Sequence, residues 1–498
     1  MTDAPVIIIG AGMGGLSAAA ILAARGVPVV VLERQSAPGG KLRQVMVDGR
    51  PVDAGPTVFT MRWVFERLFA EAGGDLASEV RLAPTELLAR HAWDDRGHFD
   101  LFADQAACED SIGAFFGARE VEAYRGFCDE ARSIYNVLEH SFLDASRPNP
   151  VSLMARIGLT RLPDALEIRP HQSLWRALNR HFHDPRLKQL LGRYATYSGA
   201  SPFVAPATLM LIAHVEREGV WLARDGMHAI ARAIAGLATR HGATFRYDAD
   251  VAEILVAGGR AAGVRLCTGE EIAASAILHN GDPAALSIGR FGKAARRAVT
   301  SVPATRRSLS SMTYLLSATT HGFPLVRHNV FFSRDYRAEF DAIFKQGKLA
   351  GEPTVYVCAQ DRDDQGGTEV DGPERLQLIV NAPANGDDGP PAAEAVAACE
   401  AATFGMLQRC GLSVMYAEHA ARLVTPADYE ALFPATGGAI YGLANHGWRA
   451  PFQRPGDTSK LPGLYLAGGG VHPGAGLPMA SLSGRRAALA IIAARGGK

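Results

Sequence analysis

The sequence contains few cysteines, no excess of charge of either sign and no long apolar run. Its six cysteines are scattered over 498 residues without a CxxC pair or the spacing of metal ligands, which argues against a disulfide framework and a zinc site. The 51 basic and 51 acidic residues balance, so no overall positive field exists to attract nucleic acid. The apolar run at 207–213 is far shorter than the ~18 to 20 residues that cross a bilayer. We therefore expect no nucleic-acid partner and no membrane span, and a reducing cytoplasm fits best.

Length and composition predict a globular protein of two or three structural units, at about 150 residues per domain. Hydrophobic residues make up 48% and charged residues 20%, below the ~25% of an average soluble domain, so a large core can be buried. The 53 glycines follow no period, which places them in turns and close backbone approaches. Secretion is not expected, because Asp3 stands where a signal peptide carries basic residues and glycines interrupt the apolar stretch that follows.

The start of the chain predicts a dinucleotide-binding unit. Residues 6–9 are typical of a buried parallel strand, a GxGxxG turn follows at once, and an alanine-rich helix comes next. Gly10 makes the tight turn, Gly12 lets the backbone approach a pyrophosphate, and Gly15 allows the helix to pack closely on the strand. A second strand ends at Glu33, whose carboxylate is placed to accept hydrogen bonds from ribose hydroxyls. The alternative is a glycine-rich turn with a surface glutamate. The predicted contacts in the turn are Gly10, Ala11, Gly12, Met13, Gly14 and Gly15.

A second glycine pair, Gly39 and Gly40, indicates which dinucleotide binds. A nicotinamide-binding domain would normally continue into another helix here, whereas backbone amides and the basic side chains of Lys41 and Arg43 suit a larger cofactor enclosed by one chain. The tight loop at 53–58 is predicted to lie near the same site. A solvated basic turn is the alternative for the two cations. The further candidate contacts are Arg34, Gly39, Gly40, Lys41, Leu42, Arg43, Gly55, Pro56, Thr57 and Val251.

The C-terminal segment carries a second signal for the same site. Residues 464–468 are typical of a short buried strand, 469–478 of a rigid glycine-rich loop and 479–493 of an apolar helix. A helix N-terminus directed at the bound cofactor would stabilise negative charge that develops on it. A plain strand, loop and helix ending is the alternative. The candidate contacts here are Gly468, Gly469, Gly476, Leu477, Pro478 and Met479.

Between these ends the pattern predicts an interrupted α/β domain. A hairpin at 87–93 and 99–103 precedes a helical region at 105–215. A helix at 229–241 leads into four strands between 244 and 278, the last of them a single strand at 271–278. Further strands, predicted to form a second sheet, lie at 308–317, 329–333, 354–359 and 376–381.

Six motifs occur together in the sequence, at 10–15, 38–41, 55–57, 194–202, 328–333 and 472–476. As a set they resemble the bacterial phytoene desaturase family of FAD-dependent oxidoreductases. The resemblance implies FAD as the cofactor and a discontinuous, Rossmann-like FAD-binding domain of the glutathione-reductase-like, amine-oxidase and desaturase type. It also implies a mixed-sheet substrate domain and a helical, membrane-contacting subdomain. The expected boundaries are 1–75, 224–288 and 455–498 for the FAD-binding domain, 76–104 and 289–454 for the substrate domain, and 105–223 for the helical subdomain.

Within that family, the segments 467–470 and 477–484 look more like the 1-hydroxycarotenoid 3,4-desaturases, also called methoxyneurosporene dehydrogenases. This similarity implies insertion of a C-3,4 double bond into a 1-hydroxy or methoxy acyclic carotenoid. Phytoene desaturase, or a flavin-dependent carotenoid ketolase or isomerase, is the alternative; an amine oxidase or a non-enzymatic isoprenoid-binding protein is less favoured. The sequence departs from related flavoproteins at Gly469 and Gly470, where many of them place an acidic residue that holds the ribityl chain.

A carotenoid substrate implies contact with a membrane surface. Exposing even ten of its carbons to water would cost about 8 kcal/mol, so the substrate must pass from the bilayer into a tunnel without crossing solvent. The segment 151–200 has eight basic and three acidic residues, with Leu153, Trp175 and Phe182 nearby, which suits anionic headgroups. A solvated basic face on a helical lid is the alternative. The expected location is cytoplasmic, peripherally associated with the inner membrane.

The resemblance also implies that the flavin takes a hydride from the substrate while a proton leaves to a base. His472, in the predicted flavin loop, is the leading polar candidate, and Glu218 and Arg224 are comparable candidates for catalytic roles. A histidine before a proline is more often a hydrogen bonder that stiffens its loop. Reoxidation of the flavin requires an electron acceptor, and the sequence does not select between quinone and oxygen. No metal is expected.

Overall fold

A five-stranded parallel sheet forms the first layer of the fold. The computed structural model describes residues 4–94, 97–143, 145, 149–157, 171–364 and 370–496. Each residue of the central strand Val6–Ile9 is buried, as apolar residues in the middle of a parallel sheet are. Three distant parts of the chain build this one sheet, which confirms the predicted α/β fold. From edge to edge its strands are Thr244–Arg246, Val29–Leu32, Val6–Ile9, Ala276–His279 and Leu464–Leu466.

Helices cover one face of this sheet and bring the two ends of the chain together. The helix Met13–Ala24 packs against Leu477–Gly496 and against His228–Arg240. The first of these contacts is close, since a Cβ atom at Gly484 would overlap the carbonyl of Gly14. The C-terminal helix therefore lies directly beside the glycine-rich turn at the start of the chain.

A three-stranded antiparallel sheet, Val251–Ala257, Arg260–Leu266 and Glu271–Ala273, lies against the other face. Ile7 and Ile9 share a buried apolar cluster with it. Successive side chains of a strand point to opposite faces, so the first strand contributes Ile7 and Ile9 to this cluster and Val6 and Ile8 to the cluster under the helices.

The single strand predicted at 271–278 is wrong. Glu271–Ala273 belongs to the antiparallel sheet, and Ala276–His279 belongs to the parallel sheet. The N–H of Ala274 still donates to the antiparallel neighbour, at 2.8 Å, whereas that of Ser275 donates to the carbonyl just before the first strand, at 3.0 Å. A run of strand-forming residues does not show which sheet each residue joins, because strand propensity reflects packing against neighbours.

An eight-stranded mixed, curled sheet forms the second layer. Its neighbours are antiparallel except for one parallel pair, His328–Phe331 with Leu87–Ala92. The long strand Ser310–Gly322 carries two partners in succession on one edge, Ala421–Val424 and then Leu412–Met415. The predicted hairpin and second sheet are confirmed. The path through the sheet is Leu412–Met415, Ser310–Gly322, Glu374–Ala382, Val355–Ala359, His328–Phe331, Leu87–Ala92 and Phe99–Phe102.

A helical region connects the hairpin to the helix at 228–240, as the pattern at 105–215 predicts. None of the helices in the described ranges is long and apolar enough to cross a membrane. The helices are Gln105–Phe116, Ala118–Leu138, the π-helical Glu139–Leu143, Pro150–Ile157, Leu174–His181, Pro185–Gly192, the 3-10 turns Arg193–Ser198 and Ala207–Met210, and Leu211–Glu218.

Shorter elements complete the described chain. Two small antiparallel sheets consist of Gln44–Val47 with Arg50–Asp53, and of Phe59–Thr60, Val220–Ala223 and Leu82–Pro84. The other helices are Arg62–Glu71, Leu76–Glu79, Pro283–Ser287, Tyr336–Gln346, Ala393–Arg409 and Pro426–Leu432. Further 3-10 turns lie at Lys293–Ala298, Ala304–Arg306, Gly386–Asp388, Glu418–Ala420 and Ala450–Gln453.

The aromatic residues assigned to a membrane-facing surface at 151–200 pack inside the protein. Trp175 lies against Phe203, with 4.7 Å between ring centroids, and Phe182 is 1% exposed. Amphipathic helices bury their apolar residues, and the sequence alone does not show whether protein or lipid covers them. Arg193 lines an internal cavity, and Arg176 is exposed. Other members of the predicted surface, Arg161 and Arg169, lie outside the described residues.

Candidate functional site

A cavity of about 750 Å³ is lined by both large sheets and by the helical region. One end lies at the glycine-rich turn that follows the first strand, where Gly12 and Glu33 line it. Trp448 also lines the cavity and is 39% exposed. Apolar side chains form much of the remaining wall, among them Leu138, Phe142, Leu153, Leu209, Ile212 and Val215.

The glycine-rich turn has the geometry that its sequence predicts. Gly10 adopts a φ of +96°, which side chains rarely allow, and a Cβ at Gly15 would overlap the Gly10 carbonyl. A Cβ at Gly12 would lie 2.8 Å from Asn280 Nδ2. Because these residues lack side chains, the backbone of the turn is accessible from the cavity, and the helix packs closely against the end of the strand. Helix N–H groups that face a cavity in this way suit a pyrophosphate.

Glu33 ends the second strand and lines the cavity at 6% exposure. Its Oε2 accepts a hydrogen bond from the N–H of Ala11 at 2.7 Å, and its Oε1 accepts one from the N–H of Gln35 at 2.9 Å. Each carboxylate oxygen has a second lone pair. The carboxylate is thus fixed by the backbone and keeps acceptor capacity for two hydroxyl groups of a ribose.

Asn280 is a site residue that sequence reasoning missed, because the segment 280–283 reads as a turn. Its Nδ2 donates to the carbonyl of Gly10 at 3.2 Å, and its Oδ1 is buried without a partner among the described residues. The same oxygen lies 2.6 Å from where a Cβ at Gly14 would stand. A buried amide oxygen without a donor costs free energy, so the position fits a ligand that supplies one.

The cations predicted to hold the cofactor line the cavity. Lys41 is not on a solvated turn: its Nζ donates to the carbonyl of Ile440 at 2.6 Å, and burial lowers its pKa to about 8, partly opposed by Asp282. Arg34 donates to the carbonyls of Ala431 and Leu432. These side chains tie the turn to the segment 431–440, and their contact with phosphate stays a prediction.

A carboxylate from another segment of the chain lies beside the glycines of the last loop, which has no acidic residue of its own. Asp282, which lines the cavity, lies with its Oδ2 3.0 Å from where a Cβ at Gly470 would be placed. The 2% exposed Arg454 donates to the carbonyl of Gly469 at 2.8 Å, and burial lowers its pKa to about 10. The acid that Gly469 and Gly470 lack is therefore available from a different strand end.

The other predicted cofactor contacts are distributed around the same cavity. Ala11 and Gly15 lie behind its wall, Ala11 through the contact with Glu33 and Gly15 through its packing on Gly10. The predicted contacts that line the cavity are Gly10, Gly12, Met13, Gly14, Glu33, Arg34, Gly39, Gly40, Lys41, Leu42, Arg43, Gly55, Pro56, Thr57, Val251, Gly468, Gly469, Gly476, Leu477, Pro478 and Met479.

None of the three predicted catalytic residues is among those that line the cavity in the described chain. His472 is 1% exposed, its Nε2 lies 3.0 Å from the carbonyl of Phe142, and burial lowers its pKa to about 3. It is a neutral imidazole that holds a loop. Glu218 is exposed and pairs with His214 at 3.6 Å, and Arg224 is also exposed. A catalytic role for these residues has no support in the geometry, because a general base must reach the reacting atoms.

A polar group interrupts the apolar wall beside the loop Gly55–Pro56. We call Arg193, Thr57, Tyr197 and Tyr356 the Arg193 cluster; all of them line the cavity. Tyr356 Oη donates to Thr57 Oγ1 at 2.7 Å, and the guanidinium of Arg193 lies 5.4 Å from the ring centroid of Tyr197 and 5.6 Å from that of Tyr356.

Glu216 supports this cluster from behind. It accepts hydrogen bonds from Tyr197 at 2.6 Å and from Tyr194 at 2.8 Å, and burial raises its pKa although Tyr197 and Arg193 oppose the shift. Tyr197 belongs to the motif at 194–202, which carries part of the family resemblance and is the sequence signal nearest to this cluster.

The fold and the site together define a dinucleotide-binding protein in which one cavity combines the proposed cofactor site with apolar walls. Comparison with known proteins is consistent with this class. Residues 13–312 match the family described as flavin containing amine oxidoreductase. Among solved structures, an oxidoreductase from Methanosarcina mazei has a TM-score of 0.59 at 16% identity, covering 98% of this chain and all of that one, which shows a shared fold.

Two curated relatives cover almost the full chain. A hydroxyneurosporene desaturase from Rubrivivax gelatinosus is 52% identical over 98% of this chain and 93% of its own length. Another, from Cereibacter sphaeroides, is 44% identical over 98% of this chain and 97% of its own. The chain therefore belongs to the carotenoid desaturases of the flavin-containing amine oxidoreductase family. The resemblance drawn from the motifs is confirmed, and FAD is the cofactor of this family.

Proposed function

We propose that this protein is an FAD-dependent desaturase that introduces a C-3,4 double bond into a 1-hydroxy or methoxy acyclic carotenoid. The observation that carries the proposal is that a single cavity is lined both by the glycine-rich turn and by apolar side chains, and also by the partly exposed Trp448. The identity of 52% to a hydroxyneurosporene desaturase supports it. A C40 hydrocarbon needs such an apolar enclosure to reach a polar cofactor site without exposure to water.

Different residues of the chain bind different parts of FAD in this proposal. Glu33 is placed for the ribose hydroxyls, the N–H groups at the start of the helix Met13–Ala24 for the pyrophosphate, and Asp282 for the ribityl hydroxyls. The N-terminus of the helix Leu477–Gly496 lines the cavity and favours negative charge near it. When bound, FAD supplies a hydride acceptor. The apolar walls exclude water from the reacting carbons and align the polyene.

We further propose that the cavity opens toward the inner membrane at an apolar rim formed by Val204 and Trp448. These side chains are 49% and 39% exposed, and the N–H of Gly447 donates to the carbonyl of Val204 at 2.9 Å. The guanidinium of Arg449 lies 4.9 Å from the Trp448 ring, which pairs a cation with an interfacial aromatic. A substrate dissolved in the bilayer would enter here directly. A quinone or oxygen serves as the electron acceptor in this proposal.

Purified protein given 1-hydroxyneurosporene or phytoene in liposomes tests the proposed function. We expect flavin absorbance in the purified protein and a new C-3,4 double bond in the hydroxylated substrate only, detected by chromatography and mass spectrometry. Conversion of phytoene would assign the protein to the general desaturases. Absence of bound flavin after reconstitution with FAD would overturn the cofactor assignment and with it the proposal.

A further inference from the structure

We propose that the Arg193 cluster is a binding subsite for the oxygen at the functionalised end of the carotenoid. This inference rests on the proposed function and names the part of the site that selects the substrate. Arg193 stands in a wall that is otherwise mostly apolar, between the rings of Tyr197 and Tyr356. A pure hydrocarbon offers no acceptor to the donors of a charged side chain in such a wall.

The donors of Arg193 make no hydrogen bond to the protein in the described ranges. Its guanidinium faces the rings of Tyr197 and Tyr356, and the buried carboxylate of Glu216 attracts it electrostatically without direct contact. Arg454, by contrast, donates to the carbonyls of Gly469 and Leu443, at 2.8 and 2.7 Å. A guanidinium is always charged and carries five donors, so donors that make no hydrogen bond at a mostly apolar wall favour a ligand that supplies an acceptor.

The position of the cluster matches the chemistry of the reaction. In a 1-hydroxy carotenoid two carbon–carbon bonds of about 1.5 Å separate C1 from C3, so the hydroxyl oxygen lies within about 4 Å of a reacting carbon. A subsite for that oxygen must therefore adjoin the cofactor site and cannot lie at the far end of the channel. Thr57 fulfils this condition: it follows the loop Gly55–Pro56, a proposed cofactor contact, and accepts a hydrogen bond from Tyr356 at 2.7 Å.

The cluster offers both partners that an alcohol needs. Arg193 donates to the alcohol oxygen. Tyr197 already donates its own proton to Glu216, so its oxygen is free to accept the alcohol proton. A methoxy group keeps the acceptor for Arg193 and loses the donor for Tyr197. An unsubstituted end satisfies neither residue and leaves the donors of Arg193 desolvated without an acceptor. We expect the order of preference hydroxyl, methoxy, unsubstituted.

Substrate competition with matched variants tests this subsite. The ratio of kcat/KM for 1-hydroxyneurosporene to that for neurosporene is measured in liposomes for the wild type and for Arg193→Met, Arg193→Lys and Tyr197→Phe. We expect Arg193→Met to lower the ratio roughly tenfold to a hundredfold, because an unpaired buried polar group is what rejects the unsubstituted substrate. Arg193→Lys should retain part of the ratio, since it keeps a charged donor. If Arg193→Met does not accumulate with bound flavin, the ratio measured for Tyr197→Phe tests the subsite instead, and a lower ratio than in the wild type would support it.

Tyr416→Phe is the matched control. Tyr416 also donates to a glutamate, Glu400, at 3.1 Å, and it is not among the residues that line the cavity in the described chain. Its variant should therefore leave the ratio unchanged, whereas a general loss of packing would lower kcat/KM for both substrates alike. An unchanged ratio in Arg193→Met and Tyr197→Phe, or a wild type that does not distinguish the two substrates, would overturn the subsite while leaving the desaturase function intact. A wild type that forms no C-3,4 double bond in either substrate would refute the proposed function instead.

Discussion

The Oε2 oxygen of Glu33 accepts a hydrogen bond from the backbone N–H of Ala11, with 2.7 Å between the two atoms. Glu33 ends the second strand of the parallel sheet, and Ala11 lies in the turn after the first. The contact therefore couples the proposed ribose and pyrophosphate contacts, 22 residues apart in sequence, into one rigid surface. A hydrogen bond to a charged group contributes roughly 1.5 to 3 kcal/mol, enough to fix this geometry before the cofactor binds.

Replacing Glu33 by alanine should weaken FAD binding by about tenfold to a hundredfold, because both the ribose acceptor and the anchor of the turn are lost. Titration of the apoprotein with FAD, followed by flavin fluorescence, measures the dissociation constant. Glu66→Gln is a suitable control, since the Glu66 side chain is 49% exposed and pairs with Arg62 on its own helix. Equal FAD affinity in Glu33→Ala and wild type would contradict the role given to Glu33.

Gly15→Ala and Gly405→Ala should have opposite effects on stability. A Cβ at Gly15 would overlap the Gly10 carbonyl, so we expect a loss of about 1 to 3 kcal/mol in the free energy of unfolding. Gly405 lies within the helix Ala393–Arg409, and a Cβ there meets nothing within 4 Å, so alanine should stabilise by about 0.5 to 1 kcal/mol. Urea denaturation of the two variants measures both. A Gly15 variant as stable as the wild type would show that the turn relaxes around the added methyl group.

Local sequence patterns predicted the parts of the fold and site that depend on local geometry. Gly10 and Gly15 follow from the requirements of a tight turn beside a helix, and Glu33 follows from the length of one strand and helix unit. Asn280, Asp282 and Arg193 could not be predicted in this way. Their roles depend on which elements the tertiary fold brings to one cavity, and no local pattern encodes that.

The difference between local patterns and tertiary contacts also explains the two predictions that the structure corrects, the strand at 271–278 and the exposed aromatic residues at 151–200. The break between Glu271–Ala273 and Ala276–His279 depends on which sheet accepts each N–H, and both segments have the composition of strands. Trp175 and Phe182 have the composition of a membrane-facing helix, but neighbouring side chains of the same protein cover them. Composition gives the polarity of a surface and does not identify what packs against it.

His472→Gln should flatten the dependence of stability on pH and preserve turnover. The pKa of His472 is lowered from 6.5 to about 3, first by burial and then by Arg486, so the unfolded chain binds more protons between these pH values. The free energy of unfolding therefore falls as the pH falls from 6.5 toward 3, by up to about 1.4 kcal/mol per pH unit for this residue. Glutamine does not titrate, and its amide can still donate to the carbonyl of Phe142.

Urea denaturation of the wild type and of the variant, measured from pH 7 to pH 4, gives the slope of the free energy of unfolding against pH. His321→Gln serves as the control, because His321 is exposed near the end of the strand Ser310–Gly322. Identical slopes for His472→Gln and the wild type would show that the imidazole is protonated without cost in the folded protein. Loss of turnover with FAD still bound would restore His472 as a candidate for the reaction.

Membrane binding should depend on the rim of the cavity more than on the basic segment. The double variant Val204→Ser, Trp448→Ser removes two exposed apolar side chains at the opening, and we expect liposome affinity to fall by about tenfold or more, because burial of a large apolar side chain contributes roughly 1.5 to 3 kcal/mol. Co-sedimentation with liposomes of anionic lipid measures the affinity. Met415→Ser is the matched control, since Met415 is 54% exposed on the strand Leu412–Met415 and is not among the residues that line the cavity in the described chain.

Charge reversal of the exposed Arg176 and Arg180 tests the alternative, in which the basic helices of the segment 151–200 contact the membrane. If that reversal releases the protein from liposomes and the rim variant does not, the membrane contact lies on the basic helices, and the substrate reaches the cavity by a route other than Trp448.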